Sequence, residues 1–249
     1  MIALARSEVL KIRTTRGWWA YLIVIVLLTG IAVAGDTGTA VDADRSQLEF
    51  QLGLVEAAGF AALLALILGI TIVTTEFRHG TVTPTFLAAP RREQVLGSKT
   101  IAGSIVAVLF GLLALLVVAA VGLPWLSIVG ADIHVSDGEI GVRAAQTLLG
   151  AVLWAMMGVA VGSVVHSQVA ALVGALVWVF LGETLLAGFA GLLDVDGAVP
   201  YLPFRALDGA DGTGGENLLS YWSAVAVSLG WVALLGAAGV WRTRRRDIT

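Results

Sequence analysis

The sequence predicts an all-α fold, a polytopic bundle of membrane-spanning helices. Hydrophobic residues make up 58% of the 249-residue chain and charged residues only 13%, well below the roughly 25% charged residues of a soluble domain. The mean hydropathy is +0.91. Six stretches are long enough to cross a bilayer, which takes about 20 apolar helical residues. We therefore predict a single transmembrane domain over residues 1–249.

The six predicted spans differ from the segments between them in charge and in proline content. Glu56 and Glu183 are the only charged residues inside them, and all five prolines lie outside them. Proline is disfavoured in a helix whose backbone must satisfy its own hydrogen bonds in lipid. The predicted spans are residues 17–34, 52–75, 100–121, 144–165, 168–189 and 220–241.

Lys and Arg are distributed unevenly between the two sides of this bundle. Twelve of the 15 cations lie before the first span, between the second and third, or after the last. The segments on the other side hold only Arg45, Arg143 and Arg205, with twelve of the 18 acids. Because cytoplasmic loops retain Lys and Arg, we expect both termini in the cytoplasm. A net charge of −3 and the lack of Cys exclude a basic nucleic-acid binder and a disulfide scaffold.

Residues 2–16 predict an amphipathic helix ahead of the first span. Cations lie on one face of this helix, and on another face apolar residues recur at helical spacing. These apolar residues are Ile2, Ala5, Val9 and Ile12. Such a helix can lie on the inner leaflet as an anchor or provide a docking surface, and the sequence leaves both roles open. A cleaved signal peptide is a third interpretation, which the long basic segment with its Glu8 disfavours.

The segment 76–99, between the second and third spans, carries structure signals of its own. Thr83 followed by Pro84 is typical of a helix N-cap and first turn, and Pro90 would end that short helix. Phe86 would then be an exposed apolar side chain among cations, which is typical of a protein contact. The alternative is a basic hairpin that only fixes topology, although topology requires cations rather than capped apolar turns.

The order of these features resembles the permease subunits of ABC-2 type ABC transporters. Such permeases are similar in having an N-terminal amphipathic helix, six spans, and a cytoplasmic loop that begins Glu-x-x-x-Gly-Thr and ends with Pro-Arg-Arg, an apolar pair and Lys. The matching residues are Glu76, Gly80, Thr81, Pro90, Arg91, Arg92, Val95, Leu96 and Lys99. The resemblance covers essentially the whole chain.

The resemblance implies an ATP-driven exporter of a hydrophobic or amphipathic compound (a drug, lipid or lipopeptide) in a bacterial plasma membrane. It implies two ABC ATP-binding subunits and a second permease copy or paralogue as partners. The ATP-binding subunit would contact the 76–99 loop and the N-terminal helix through these residues: Glu76, Arg78, His79, Gly80, Thr81, Phe86, Pro90, Arg91, Arg92, Arg6, Lys11 and Arg13.

The chain does not match a phosphate-binding loop. In Gly97-Ser98-Lys99-Thr100 a serine separates Gly from Lys, and an apolar membrane helix follows. No metalloprotease or serine-hydrolase motif is present, and the three His are scattered. We therefore expect no catalytic residue, metal or cofactor in this chain, with ATP and Mg on the partner subunit.

The two acids within the spans are candidates for the translocation path, because an ionisable group in hydrocarbon is costly. Glu56 lies within about one turn of the predicted outer edge of its span, where an ordinary interfacial residue is expected. Glu183 lies deeper and can line an external vestibule, pair with a helix terminus, or stay protonated. A proton-coupled secondary transporter using Glu183 or Glu56 is the alternative function, although no repeat or interrupted span supports it.

Residues 190–219, between the last two spans, mix apolar side chains with Gly and Asp. We predict short re-entrant or interfacial helices broken at Pro200 and Pro203, which the resemblance also implies; an irregular surface loop is the alternative. Small residues at four-residue spacing, such as Gly158 and Gly162, predict close helix packing.

Overall fold

The structure, a computed structural model, describes residues 2–15, 17–41, 45–81, 92–193, 195–212 and 218–245. These residues form helices and connecting turns, with no strand among them. Six helical segments in this part of the chain are long and apolar enough to cross a membrane. The predicted all-α membrane fold is therefore confirmed.

The α-helices that follow one another along the described residues are α1 (Ile2–Thr14), α2 (Gly17–Thr39), α3 (Leu48–Glu56), α4 (Phe60–Arg78), α5 (Arg92–Ile128), α6 (Gly138–Val164), α7 (Gln168–Val177), α8 (Glu183–Leu192), α9 (Pro203–Ala210) and α10 (Tyr221–Arg245). A 3-10 turn, Ala57–Gly59, joins α3 to α4 as span two, and a π-helical turn, Trp178–Gly182, joins α7 to α8 as span five. The remaining spans are α2, α5, α6 and α10.

Most spans extend beyond their predicted bounds, and span three continues through Pro124. The prediction that every proline lies outside the helical spans is therefore wrong at this position. Proline removes one helical hydrogen bond and crowds the carbonyl of the preceding turn. Pro124 lies only four residues before the end of α5, where water or lipid headgroups can bind the freed carbonyl, so the interruption is tolerated.

Spans two and four form the centre of the bundle, where two glycines bring α4 and α6 into backbone contact. A Cβ atom on Gly69 would overlap the carbonyl oxygen of Ala155, and one on Gly158 would overlap that of Leu66. The predicted packing role of Gly158 is confirmed, with α4 as the partner. Both α5 and α10 also pack on α6.

Spans one, five and six lie at the periphery. Only 17% of the apolar window of each is buried within the chain, against 61% and 67% for spans two and four. Apolar surface of this extent is stable in contact with lipid or with another membrane chain.

The segment between spans five and six contains the predicted short helices, a 3-10 segment over Asp196–Tyr201 and α9. Pro200 lies inside the 3-10 segment, so the predicted break at Pro200 is wrong. Pro203 begins α9 rather than breaking a helix, because the first helical position needs no N–H donor. Buried side chains of α9, among them Phe204 and Leu207, pack into the core formed with α6 and α10.

Helix α1 is amphipathic, but its apolar face packs on protein. Ala5 and Ile12 are buried, and the principal neighbour of α1 is α5. Its cations Arg6 and Arg13 are exposed. Since Glu8 lies on the buried face as well, α1 brings a charged group to the base of the bundle.

Candidate functional site

Four charged side chains meet where α1, α4 and α5 come together, and we call them the ion network: Glu8, Lys11, Glu76 and Lys99. The Lys99 Nζ atom lies 2.9 Å from Glu8 Oε2 and 2.9 Å from Glu76 Oε1. The Lys11 Nζ atom lies 2.7 Å from Glu8 Oε1 and 3.0 Å from Glu76 Oε1. Each glutamate is therefore held by both lysines.

The ion network is buried at its centre and open at one edge. Lys99 is 3% exposed and also donates to the carbonyl oxygen of Ile72 at 3.3 Å. The Lys11 side chain, in contrast, is 53% exposed. A buried charge is tolerated only with compensating partners. Lys99 is thus the central cation that allows Glu8 and Glu76 to be buried together.

The surroundings favour the charged form of both α1 residues. Burial alone would raise the pKa of Glu8, but the charge of Lys99 and hydrogen bonds from both lysines outweigh burial and lower that pKa. Burial would lower the pKa of Lys11, but its hydrogen bonds to Glu8 and Glu76 raise it. The stabilisation contributed by Glu8 is therefore present at neutral pH and is lost as the pH falls through its lowered pKa.

Local structure explains how these residues meet. Glu8 and Lys11 share a face of α1 because they are three residues apart. Glu76 lies in the last turn of α4, and Lys99 lies in the second turn of α5. The ion network therefore connects α1 to the bases of spans two and three.

Gly80 ends span two beside the ion network. It has a positive φ of 68°, which other residues rarely adopt. The N–H of Thr81 donates to the carbonyl oxygen of Glu76 at 3.0 Å, and the N–H of Gly80 donates to that of Phe77 at 3.4 Å. These two bonds form a Schellman cap. The Gly-Thr pair thus has a structural role as the C-terminal cap of α4.

The predicted subunit-contact residues separate into internal and exposed sets. Glu76 is buried in the ion network, and Lys11 also belongs to it. Arg92 is half-buried. The exposed members within the described residues are Arg6, Lys11, Arg13, Arg78, His79, Gly80 and Thr81. Phe86, Pro90 and Arg91, with the capped turn predicted at Thr83 and Pro84, lie outside the described residues. Contact with an ATP-binding subunit stays a prediction for all of them.

At the end of the bundle opposite the ion network lies a cavity of about 430 Å³, which we call the distal cavity. Its wall is formed by span two, α6, span five and α9. Both acids singled out within the spans, Glu56 and Glu183, line it. Asp208 and Asp211 line it as well. The fold therefore brings the two span acids into one site with two acids of the α9 segment.

Glu183 caps the N-terminus of α9. Its Oε1 atom accepts from the N–H of Phe204 at 2.8 Å and from Trp178 Nε1 at 3.2 Å, and its Oε2 atom accepts from the N–H of Arg205 at 2.7 Å. The first N–H groups of a helix lack internal partners, and its positive end favours a carboxylate. Of the roles left open for Glu183, pairing with a helix terminus is confirmed.

Glu56 forms a single ion pair at the junction of α3 with the 3-10 turn. Its Oε1 atom lies 2.9 Å from Arg143 Nη1. The side chain of Glu56 is 35% exposed, and that of Arg143 is 21% exposed. This partial exposure agrees with an interfacial residue rather than one held in hydrocarbon. Glu56 and Glu183 therefore differ strongly in how firmly the fold holds them.

We expect Glu56→Gln to lower the free energy of unfolding by less than about 1 kcal/mol, because a partly exposed ion pair is screened by solvent. Denaturant unfolding in detergent micelles would measure this change. Arg143→Met and the double variant complete a double-mutant cycle that isolates the pair. A coupling energy above about 2 kcal/mol would contradict the assignment of Glu56 as a weakly held interfacial residue.

Asp208 titrates near neutral pH. Burial, followed by the nearby Asp211 carboxyl, raises the pKa of Asp208 to about 7, against the opposing charge of Arg205. Sequence reasoning missed both aspartates, because they resemble ordinary acids of a solvated loop. Their three-residue spacing is the available signal, but it indicates a shared face only once the segment is known to be helical.

Comparison with known proteins agrees with this architecture. The model of the family described as ABC-2 family transporter protein matches residues 2–248. No curated protein matches the chain. The family match spans α1, all six spans and both sites described above, and it implies a membrane subunit that works with an ATP-binding subunit. The chain belongs to the ABC-2 family of transporter proteins.

Proposed function

We propose that this chain forms one half of the translocation path of an ATP-driven exporter. A second permease, either another copy or a paralogue, completes the path, and two ATP-binding subunits drive it. ATP and Mg bind to those subunits, while this chain holds no cofactor, metal or catalytic residue. The complex lies in a bacterial plasma membrane with both termini of the permease in the cytoplasm.

The ion network is the observation that carries this proposal. It joins α1 to the bases of spans two and three through two lysines, each of whose Nζ atoms lies within 3.0 Å of a carboxylate oxygen of both glutamates. Energetic coupling between distant sites is carried by such hydrogen-bonded networks and by rigid helices. A subunit that pushes on α1 would therefore move α4 and α5 with it.

The docking surface in this proposal consists of the exposed residues around the ion network. Arg6 and Arg13 extend from α1, and Arg78 lies at the end of α4. Exposed cations favour a partner whose facing surface is acidic. Phe86, Pro90, Arg91 and Arg92 complete the surface, as the family resemblance implies.

The distal cavity supplies the far part of the translocation path. Glu56 and Glu183 line it, and its wall also includes apolar side chains such as Leu63 and Val179. A mixed wall of this kind suits a hydrophobic or amphipathic compound such as a drug, lipid or lipopeptide. The peripheral spans one and five offer apolar surface for the second permease.

A proton-coupled transporter is the second candidate, and Asp208 is the residue that favours it, since its pKa of about 7 suits proton exchange at neutral pH. Glu183 is a less suitable proton carrier because three hydrogen-bond donors fix its carboxyl group as the cap of α9. An ATP-driven mechanism gives the ion network a role in transmitting movement, whereas a proton-coupled one leaves it a role in stability only.

The test of the docking surface is co-purification. The tagged permease is co-expressed with the product of a neighbouring reading frame that encodes a phosphate-binding loop. We expect Arg6→Glu with Arg78→Glu to lower the co-purified ATP-binding subunit at least tenfold, since both cations are exposed and reversed in charge.

Arg242→Glu is the matched control, because Arg242 is an exposed cation near the end of α10, outside the docking surface. It should leave co-purification unchanged. Membrane insertion and size-exclusion profiles should be the same for all variants. An undiminished yield of the ATP-binding subunit with the double variant would refute the proposed surface.

A further inference from the structure

The wall of the distal cavity contains more carboxyls than guanidiniums. Its titratable lining residues are Glu56, Glu183, Asp208, Asp211 and Arg205. Counting Arg143, the ion partner of Glu56, still leaves four carboxyls against two guanidiniums. A cleft with low-dielectric walls and an excess of one charge concentrates ligands of the opposite charge. The electrostatics of the cavity therefore favour a cation.

Aromatic rings form another part of the same wall. They belong to Phe60, Trp154, Phe180 and Phe204. The rings of Trp154 and Phe204 pack with their centroids 5.5 Å apart, while Phe180 is largely exposed. Aromatic faces attract organic cations and pack against flat apolar groups. Carboxyls and aromatic rings together select an organic cation over an inorganic one.

Trp154 gives an independent indication of a ligand. Its side chain is 5% exposed and lines the cavity, and its indole Nε1 has no hydrogen-bond partner within the described residues. Buried indole N–H groups ordinarily donate to an acceptor. An acceptor oxygen on a ligand bound in the cavity would supply one once the groups that cover the buried Nε1 move aside.

We propose that the distal cavity binds an organic cation with an aromatic body and an acceptor oxygen. The positive charge lies beside Asp208 and Asp211. The aromatic body packs against Phe180 and Phe204, and the oxygen accepts from Trp154. Such a cation is the class of compound that the exporter carries, an assignment that rests on the proposed function.

The acids give this binding a characteristic pH dependence. Burial and Asp211 raise the pKa of Asp208 to about 7, Glu183 adds to the effect, and Arg205 opposes it. The remaining titratable group in the wall, Glu56, is compensated by Arg143. As the pH falls through 7, Asp208 becomes neutral and the attraction for a permanent cation weakens.

Equilibrium binding of rhodamine 6G to the full-length chain in phosphatidylcholine nanodiscs tests the proposal. This dye is a cation with an aromatic xanthene and an ester oxygen. Rhodamine 19, its hydrolysed acid, keeps the same cationic xanthene but carries a carboxylate in place of the ester, and it is the matched probe. Binding is followed by fluorescence polarisation. At pH 8 we expect rhodamine 6G to bind at least tenfold more tightly than rhodamine 19. At pH 6 we expect rhodamine 6G to bind severalfold more weakly than it does at pH 8.

Isosteric variants locate the binding in the cavity. Asp208→Asn with Asp211→Asn should weaken rhodamine 6G binding at least tenfold and remove its pH dependence. Trp154→Phe, which keeps a ring and removes the N–H donor, should weaken it severalfold. Asp36→Asn makes the same chemical change at an exposed residue outside the cavity and should have no effect.

Equal affinity for the two dyes, or unchanged binding by the double Asn variant, would overturn the proposal. Thermal unfolding identifies any variant that misfolds. For such a variant, the affinities of the wild-type protein for the two dyes at pH 6 and pH 8 decide whether the proposal stands. The assay contains neither nucleotide nor ATP-binding subunit. A failure here therefore refutes the cation site alone, whereas a failure of co-purification refutes the docking surface.

Discussion

Lys99→Met is expected to lower the free energy of unfolding by about 3–5 kcal/mol, because it leaves two buried carboxylates without their central cation. Glu8 and Glu76 would then face each other across a site in which Lys11 alone compensates them. Thermal unfolding followed by tryptophan fluorescence would measure the loss. This is the largest loss in free energy of unfolding that we expect from replacing any single charged residue of the ion network.

The only other lysine of the chain provides a matched control. Lys11→Met makes the same substitution at a side chain that is 53% exposed, and solvent can replace its contacts, so we expect a loss of about 1 kcal/mol or less. A Lys99→Met protein as stable as the Lys11→Met protein would contradict a buried network with Lys99 at its centre.

Neutralising the three buried members of the ion network, and leaving the exposed Lys11 in place, separates stability from motion. Adding Glu8→Gln and Glu76→Gln to Lys99→Met removes the stranded charges and should restore most of the lost stability. The triple variant should still bind the ATP-binding subunit through the exposed cations. It should no longer transmit ATP-driven movement to spans two and three, because the ion pairs that join α1 to them are lost.

Glu183→Gln is expected to lower the free energy of unfolding by about 3 kcal/mol, since hydrogen bonds to a charged group contribute about 1.5–3 kcal/mol each. Two bonds from the α9 backbone and one from Trp178 are affected. The main consequence should be local opening of α9. Glu139→Gln, at an exposed acid of α6, should change stability by less than about 0.5 kcal/mol.

Opening of α9 can be measured directly because the chain contains no Cys. Leu207→Cys places a thiol at a fully buried position of α9. Its reaction with a maleimide should be at least tenfold faster when Glu183→Gln is also present, which corresponds to about 1.4 kcal/mol of easier opening. Equal labelling rates would contradict the role of Glu183 as the cap of α9.

The sequence was sufficient to predict the six spans, because the hydropathy that marks a span is a property of consecutive residues. It was insufficient for the ion network, because Glu8 and Lys99 are 91 positions apart and each resembled an ordinary charge flanking a span. Glu76 matched a family motif and was expected at a subunit contact. Its burial arises from the packing of α1 on α5, which no local pattern specifies.

The distal cavity is a second site whose contacts could not be predicted from the sequence. The sequence identified Glu183 as costly in hydrocarbon but left three roles open, because its partners are the N–H groups of a helix 20 residues further along. Asp208 could not be recognised as a site residue until α9 placed it with Asp211 in the wall of the distal cavity. Local patterns thus predict which helices form, whereas tertiary packing determines which of their polar groups meet.

The most direct test of the account measures ATP-driven movement at the far end of the bundle from the docking surface. Val179→Cys places a thiol in the wall of the distal cavity, and its labelling by an impermeant maleimide is followed in proteoliposomes. We predict that ATP changes the labelling rate when the ATP-binding subunit is present, and does not do so when the permease carries Glu8→Gln, Glu76→Gln and Lys99→Met together. A proton gradient that changes the rate in the permease alone, with ATP and its subunit having no effect, would contradict the account.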